Sequence, residues 1–249
     1  CPTTALQPSV PNFIADTLFV ISSTFLYNVL INIYFTRETV QGKMIEINKE
    51  IKELLFLGPQ GSYCETAKNQ FLSLLPAKDV EQKPFSTVKS IIEYVKDNEY
   101  AAAVIPVENS IEGIVRETMD NMLNLNDPSI QISAETVIPV NHCLVSKAGS
   151  IRGIKKIISH PQALAQCRNF IEKHFGSNIE QIEKASTSKA AQELTELDDS
   201  YAAIANKRTA EIFKLNVLAK NINDEKDNKT RFILLSRCTT TPTDSDKTS

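Results

Sequence analysis

The sequence predicts an α/β protein with a mostly parallel sheet. Short apolar segments recur along the chain, and amphipathic segments with helical spacing separate them. Clusters of glycine, proline and small polar residues end several of the apolar segments, as turns do. Strands that alternate with helices in this way are typical of β-α-β units, in which the helix carries the chain back to the start of the next parallel strand.

The first β-α unit has the clearest signals. Glu53–Leu57 is predicted to be a short strand, and the turn residues 58–61 follow it. Ser62 and Glu65 have the spacing of a capping box, which indicates that a helix begins there. Its apolar residues recur on one face until Pro76, so we expect the helix to end before that proline.

The remaining elements continue the pattern. A second helix is predicted after Ser86, whose hydroxyl suits an N-cap. Residues 130–145 alternate between apolar and polar types and predict one long strand or two collinear strands. Pro161 and Gly176 mark the start and the end of a further helix. The other predicted strands are Tyr100–Pro106, Ile154–Ser159, Gln181–Ala185, Tyr201–Ala205 and Arg231–Leu235, and the other predicted helices lie near 187–197 and 207–214.

Composition excludes several classes of protein. With 249 residues, of which 42% are hydrophobic and 23% charged, the chain has the mixture of a globular protein with one large domain or two small ones. A formal net charge of −3 gives no basis for nucleic acid or an anionic membrane as the main partner. The five cysteines form no C-x-x-C pair, so we expect reduced thiols in a cytoplasmic protein and no metal site. They are Cys1, Cys64, Cys143, Cys167 and Cys238.

The two ends of the chain differ from the central part. Residues 18–35 are uncharged and nearly long enough for a membrane-spanning helix, but no basic region precedes them, as it would in a signal peptide. The first methionine is Met44, and the sequence runs from there into the first strand. We expect residues 1–43 to be an extension outside the fold, with a membrane anchor or a packed element as alternatives. Residues 238–249 are rich in threonine, serine and aspartate and are predicted to be a disordered tail.

Polar segments that could bind a ligand follow five of the predicted strands. In open α/β sheets, ligands bind beyond the carboxyl ends of the strands, next to helix N-termini. Hydroxyls, amides, helix N-termini and one arginine favour a small anion. Because neither G-x-G-x-x-G nor G-x-x-x-x-G-K-[ST] occurs, a carboxylate fits better than a nucleotide. The segments are GPQGSY (58–63), VENSIEG (107–113), SHPQALAQ (159–166), ASTSKAA (185–191) and NKTRF (228–232).

Each segment also has a purely structural interpretation. Ser62 and Ser186 can be helix caps and nothing more, and His160 suits a cap or a turn better than a general base. Glu108, directly after an apolar strand, is either solvated or held in a cleft. Arg231 lies within an apolar strand and needs an anionic partner. Taken singly, the residues therefore support a small-carboxylate-binding α/β protein, either an enzyme or a receptor.

Taken together, six motifs resemble the prephenate dehydratase family. They occur in the order of that family, and at about its spacing, from roughly Leu54 to Arg237: GPQGSYCETA, IPVENSIEGIV, SHPQALAQC, STSKAA, YAAIAN and NKTRF. The resemblance implies a two-lobed fold like that of a type II periplasmic binding protein, with the active site in the cleft between the lobes. It implies a catalytic domain over residues 44–237, with lobe 1 at about 54–136 plus 218–237 and lobe 2 at about 137–217.

The resemblance also implies a reaction. Prephenate dehydratase removes CO2 and water from prephenate, a dicarboxylate, and leaves phenylpyruvate on the route to phenylalanine. Because aromatisation supplies the driving force, no metal or organic cofactor is implied. Hydroxide is a poor leaving group, and a positioned donor would assist its departure by about 10²–10⁴-fold. By resemblance, that donor is the hydroxyl of Thr230.

The other site residues are implied in the same way. Arg231 would pair with a substrate carboxylate. Glu108 and Asn109 would belong to the catalytic group, Glu108 by orienting Arg231 or a water or, if it is buried, by donating the proton. The remaining residues would bind the substrate or shape the cleft: Ser159, Gln166, Ser186, Thr187, Ser188, Gly58, Pro59, Gly61, Ser110 and Phe232.

Three functions remain open. Besides prephenate dehydratase, the chain could be an arogenate dehydratase, which acts on an amino analogue of prephenate, or a non-catalytic receptor for small carboxylates. The expected partner is the small-molecule substrate, with no nucleic acid and no membrane, in the cytoplasm. A homodimer formed through the lobes is a further hypothesis. Family members usually carry a C-terminal ACT domain that binds phenylalanine, and because the residues after Arg237 leave no room for it, we expect this regulation to be absent or the chain to be truncated.

Overall fold

The structure, a computed structural model, describes residues 51–75 and 79–237. The predictions for residues 1–43 and 238–249 lie outside these ranges. The strands are β1 (Glu53–Leu57), β2 (Glu81–Phe85), β3 (Ala101–Asn109), β4 (Gly113–Ile114), β5 (Ile130–Pro139), β6 (Cys143–Ser146), β7 (Lys156–Ser159), β8 (Glu180–Glu183), β9 (Tyr201–Ala205), β10 (Asn216–Lys220) and β11 (Lys229–Arg237). The helices are α1 (Tyr63–Leu74), α2 (Val88–Asp97), α3 (Arg116–Leu123), α4 (Pro161–Ala165), α5 (Arg168–Phe175), α6 (Thr187–Leu194) and α7 (Lys207–Ile212).

The strands form two mixed sheets that are arranged alike. In each sheet, three parallel strands are followed by one antiparallel strand and then by an edge strand. The first sheet has the order β2-β1-β3-β11-β5, with β4 paired to the end of β3, and the second has the order β8-β7-β9-β6-β10. In the first, β11 runs antiparallel to β3 and β5, while β1 is parallel to β2 and β3. In the second, β6 runs antiparallel to β9 and β10, while β7 is parallel to β8 and β9. The antiparallel strands are β6 and β11, and the chain enters each of them directly from a strand of the other sheet. The predicted two-lobed α/β fold is confirmed.

The strand predicted over residues 130–145 is in fact two strands in different sheets. β5 ends at Pro139, which has no N–H for a ladder hydrogen bond, and β6 begins at Cys143 in the second sheet. An alternating pattern reports which side chains are buried and carries no information on which strand is the neighbour. The prediction of collinear strands is therefore wrong.

The elements that the sequence did not reveal include two strands without a fully buried residue. β2 has the polar sequence EQKPF at the edge of the first sheet, and β10 lies at an edge of the second. Edge strands have one solvated side and often lack the apolar run of a central strand. The short helix α3 was also missed. The cap of α2 is Thr87, whose hydroxyl accepts from the N–H of Ser90 at 3.1 Å, so the prediction of Ser86 was one residue early.

The turn after β1 is held by hydrogen bonds to residues of both lobes. Ser62 caps α1 as predicted, and its hydroxyl accepts from the N–H of Glu65 at 3.2 Å. The Glu65 carboxylate accepts from the N–H of Gly61 at 2.6 Å. The carbonyl of Gly61 accepts in turn from Asn206 Nδ2 at 2.7 Å and from Thr209 Oγ1 at 2.8 Å. Because Asn206 caps α7 beside the second sheet, these bonds connect the two halves at this turn.

The chain crosses between the sheets twice, after β5 and after β10, and the two crossings are hydrogen-bonded to each other. The N–H of Val140 donates to the carbonyl of Asn228 at 2.8 Å, and the N–H of Ile222 donates to the carbonyl of His142 at 3.0 Å. The side chain of Asn223 accepts from the N–H of His142 at 2.6 Å and donates to the carbonyl of Val140 at 3.0 Å. Backbone and side-chain hydrogen bonds therefore join the two crossings to each other.

Candidate active site

A cavity of about 380 Å³ lies beside the crossings and is lined by both halves of the chain. Its size is that of a site for a small molecule. Gly58, Tyr63, Asn109 and Thr230 come from the lobe of the first sheet, and the lobe of the second sheet supplies two helix starts. The second lobe and the crossings contribute Val140, His142, His160, Gln162, Gln166, Ala185, Ser186 and Thr187.

The Thr230 hydroxyl is oriented by Asn109. Asn109 Oδ1 accepts from the backbone N–H groups of Ile111 at 3.0 Å and Glu112 at 3.1 Å, so its Nδ2 must face the other way. Nδ2 donates to Thr230 Oγ1 at 2.9 Å and to Asn228 Oδ1 at 2.8 Å. Because Thr230 Oγ1 accepts this bond, its own hydrogen is available to a ligand oxygen in the cavity.

The opposite side of the cavity is suited to an anion. α6 begins there with Ser186 as its cap, whose hydroxyl accepts from the N–H of Lys189 at 3.0 Å, and Thr187 follows. The hydroxyl of Ser188 is buried and has no hydrogen-bond partner within the described ranges. His160 is the N-cap of α4, as its structural interpretation predicted. Its Nδ1 accepts from the N–H of Gln162 at 3.3 Å. Backbone N–H groups and the helix dipole at such a start favour negative charge.

Gln166 and His142 connect the two halves of the site. Gln166 Oε1 accepts from Asn228 Nδ2 at 3.0 Å and lies 3.2 Å from His142 Nε2. His142 is 3% exposed, and this burial lowers the pKa of its imidazole. The Tyr63 hydroxyl donates to the carbonyl of Asn141 at 2.9 Å and lies 3.5 Å from His142 Nδ1. Burial raises the pKa of Tyr63, which keeps the phenol protonated.

Arg231 and Glu108 face away from this cavity and pair with each other. Arg231 Nη2 lies 3.3 Å from Glu108 Oε2, and neither residue lines the cavity. Successive side chains of a strand point to opposite faces, so Thr230 reaches the cavity and Arg231 lies on the other face. The Glu108 side chain is 41% exposed, so the burial that a proton donor would need is absent, while the pairing suits the role of orienting Arg231. The carboxylate contact of Arg231 stays a prediction.

Of the other predicted site residues, Gly58 lines the cavity and the rest are held by structural contacts outside it. Ser159 is fully buried and its hydroxyl donates to a backbone carbonyl of β9, and Phe232 lies in the core of the first sheet. Ser110 is hydrogen-bonded to the backbone just before Thr230. Pro59 and Gly61 do not line the cavity and lie in the turn after β1. Their substrate contacts stay predictions.

Several residues of the site were not among the predicted ones: Gln162, Tyr63 and His142 line the cavity, and Asn228 bonds to Gln166. Gln162 gave a signal, since it shares a helix face with Gln166 four residues later, but the pair alone suggested a surface. Tyr63 and Asn228 stand inside two of the motifs without having been singled out. His142 gave no signal, because it lies in a crossing where neither helical nor strand periodicity applies.

Fold and cavity define a two-lobed α/β protein with a cleft suited to a small anion. The family model described as "Prephenate dehydratase" matches residues 54–240. The chain therefore belongs to the prephenate dehydratase family.

Relatives and solved structures agree with this assignment. The chain is 36% identical over 230 residues, 92% of its length, to a bifunctional chorismate mutase/prephenate dehydratase of Aquifex aeolicus, of which it covers 60%. This alignment is longer than the family-model match and includes part of residues 1–53. A prephenate dehydratase of Methanocaldococcus jannaschii is 39% identical over 75% of the chain, which covers 65% of that protein. The crystal structure of a prephenate dehydratase from Arthrobacter aurescens, in complex with L-Phe, has a TM-score of 0.66 at 36% identity and matches 77% of this chain and 61% of that one. The chain thus spans less than two thirds of the length of these proteins.

Proposed function

We propose that this protein is a prephenate dehydratase, which converts prephenate to phenylpyruvate, CO2 and water. The observation that carries the proposal is the Thr230 hydroxyl at the cavity, with its oxygen accepting from Asn109 and its hydrogen available to a ligand. A group held in this way can donate to the departing ring hydroxyl. Membership of the family supports the same reaction.

The chemistry asks for two kinds of contact. As the carboxylate carbon leaves as CO2, its bonding electrons enter the ring and the C–O bond breaks, so negative charge grows on the departing oxygen. A threonine hydroxyl is a weak acid, so Thr230 stabilises this oxygen by a hydrogen bond and does not act as a full proton source; the departing hydroxide takes from solvent the proton that makes it water. The substrate carboxylates are held by the start of α6, with Ser186, Thr187 and Ser188, and by Arg231 if it turns from Glu108.

The test compares two substitutions at Thr230 in the full chain. Thr230→Val keeps the branched shape without the hydroxyl, whereas Thr230→Ser keeps the hydroxyl. Phenylpyruvate formation is followed at neutral pH, because prephenate aromatises spontaneously in acid. We expect kcat to fall by about 10²-fold or more in Thr230→Val and to be largely retained in Thr230→Ser.

A matched control is Thr195→Ala, since Thr195 is exposed and follows α6 at its far end. It should leave kcat and KM unchanged. Retention of kcat in Thr230→Val would refute the role given to the hydroxyl, and absence of turnover in the parent chain would refute the proposed function.

Two alternatives are separated by a change of substrate or of readout. Arogenate has an amino group in place of the keto oxygen of prephenate, so its dehydration gives phenylalanine, and a higher kcat/KM for phenylalanine formation from arogenate identifies an arogenate dehydratase. A receptor would bind prephenate without turning it over.

We also propose the organisation around this activity. Residues 44–237 form the catalytic domain, with lobe 1 at about 54–136 plus 218–237 and lobe 2 at about 137–217. The protein acts in the cytoplasm as a homodimer, which cell fractionation and light scattering at micromolar concentration test. In the part of the chain that the structure describes, no helix has the length and apolar character needed to cross a membrane.

A further inference from the structure

Two backbone N–H groups determine the directions of the hydrogen bonds that join the amide side chains of Asn109, Asn228 and Gln166. Those of Ile111 and Glu112 can only donate, and both meet Asn109 Oδ1. Asn109 Nδ2 is therefore the end that meets Asn228, and it donates to Asn228 Oδ1 at 2.8 Å. The Nδ2 of Asn228 then donates to Gln166 Oε1 at 3.0 Å. Reversing any one amide would place two donors or two acceptors against each other.

His142 is the next group in this network, and the network determines its tautomer. Its Nε2 lies 3.2 Å from Gln166 Oε1, an oxygen that can only accept, so Nε2 carries a hydrogen. A neutral imidazole has one N–H, so Nδ1 carries no hydrogen; the Tyr63 hydroxyl lies 3.5 Å from Nδ1 and donates to the carbonyl of Asn141. Burial favours the neutral form, since it lowers the pKa of His142.

The backbone of His142 is fixed in the crossing between the sheets. Its N–H donates to Asn223 Oδ1 at 2.6 Å, and its carbonyl accepts from the N–H of Ile222 at 3.0 Å. The ring stands edge-on to Tyr63, with centroids 6.1 Å apart and planes at 71°. The imidazole is thus held from both sides and presents Nε2 to Gln166.

Two donors on one side of Gln166 determine where its amide nitrogen points. With Oε1 held by His142 and Asn228, Nε2 faces away from them, and it lies 3.5 Å from Glu112 Oε1. A contact of that length is weak, and a substrate oxygen can replace it. Gln166 also lines the cavity.

We infer that His142 is a positioning residue: together with Asn228 it holds the Gln166 amide so that the N–H groups of Gln166 donate to the substrate. The inference rests on the proposed function and assigns a specific orientation to one of its binding groups. His142 acts through Gln166, and the expected effect is on substrate binding more than on the bond-breaking step.

Two substitutions separate positioning from packing. In His142→Gln the side-chain nitrogen can occupy the place of Nε2 and donate to Gln166, whereas His142→Phe keeps the ring shape and has no donor. In the full chain with prephenate, we expect His142→Phe to raise KM by about 10-fold, the effect of one hydrogen bond, with kcat changed by less than about 3-fold. His142→Gln should stay near the parent. If His142 only fills space, Phe will preserve KM and Gln will not, and that order would overturn the inference.

A second measurement does not depend on turnover. In the full chain labelled with 15N-histidine, the His142 signal, identified by its loss in His142→Phe, should show a neutral imidazole with hydrogen on Nε2 at pH 7. A hydrogen on Nδ1, or an imidazolium, would overturn the inference. If the parent chain does not turn prephenate over, the proposed function fails, and the same comparison of variants is made on the Kd for prephenate; equal Kd values, or no binding at all, overturn the inference as well.

Discussion

Substituting Gly61 by alanine should disturb the turn that connects the two halves of the protein. Gly61 has a φ of +86°, in the left-handed region that residues with a Cβ rarely adopt. A Cβ built on it would lie 3.0 Å from Thr209 Oγ1 and 3.4 Å from Thr209 Cα. The substitution therefore has two costs, one in the backbone of the turn and one at its contact with α7.

The two costs can be estimated separately. A left-handed conformation costs a residue with a Cβ about 1–2 kcal/mol. Thr209 Oγ1 cannot retreat freely, because it contacts the Gly61 carbonyl at 2.8 Å and Asn206 Oδ1 at 3.0 Å, and a weakened hydrogen bond adds about 1 kcal/mol. Together Gly61→Ala should lower the free energy of unfolding by about 2–3 kcal/mol.

Gly153→Ala is the matched control. Gly153 has a φ of +95°, and among the described residues no atom beyond its chain neighbours lies within 4 Å of the position of its Cβ, so only the backbone cost of about 1–2 kcal/mol applies. Urea unfolding of the full chain gives both values. Adding Thr209→Ala to Gly61→Ala removes the obstructing oxygen, and the double variant should lose less stability than the sum of the single ones. Equal losses for Gly61→Ala and Gly153→Ala, with additive behaviour in the double variant, would refute the contact with Thr209.

Three more outcomes are expected. Burial puts the pKa of folded His142 below its usual value of 6.5, so between pH 7 and pH 5 the unfolded chain binds more protons than the folded chain, and the free energy of unfolding should decrease as the pH is lowered. In His142→Gln this decrease should be smaller, and an unchanged pH dependence in urea unfolding would contradict the burial argument. The buried thiols of Cys64 (pKa about 12), Cys143 and Cys167 have raised pKa values and should resist iodoacetamide at pH 8 until the chain unfolds. Peptide mapping measures the labelling, and labelled thiols at these positions in the native protein would contradict the prediction. Ser62→Ala removes the cap of α1 and should cost about 1 kcal/mol in urea unfolding, with no loss if water replaces the hydroxyl.

Elements with a strong local pattern could be predicted from the sequence. β1 and β9 were predicted with the bounds that they have, because each is a short apolar run next to turn residues. The cap of α1 followed from the spacing of Ser62 and Glu65. What escaped prediction depends on partners far along the chain: the separation of β5 from β6 between two sheets leaves no trace in an alternating pattern.

The candidate site shows the same division. Thr230, Asn109 and Gln166 stand in motifs that could be recognised, and the structure brings them together in one network. The direction in which a strand residue points cannot be read from a motif: Arg231 pairs with Glu108 and does not line the cavity, and its contact with a substrate carboxylate stays a prediction. His142 joins the network only because two distant crossings are bonded to each other, and such a contact has no local signal.

The position of β11 has a consequence for the order in which the protein is made. This strand lies between β3 and β5, yet it is the last strand of the described chain to leave the ribosome. The second sheet draws its strands from one continuous stretch, Cys143 to Lys220, and can close while the first sheet is still split in two. Because Thr230 is part of β11, the nascent first lobe acquires the strand that joins β3 to β5 and the candidate active site its hydroxyl in the same event, so synthesis halted before residue 229 would leave neither.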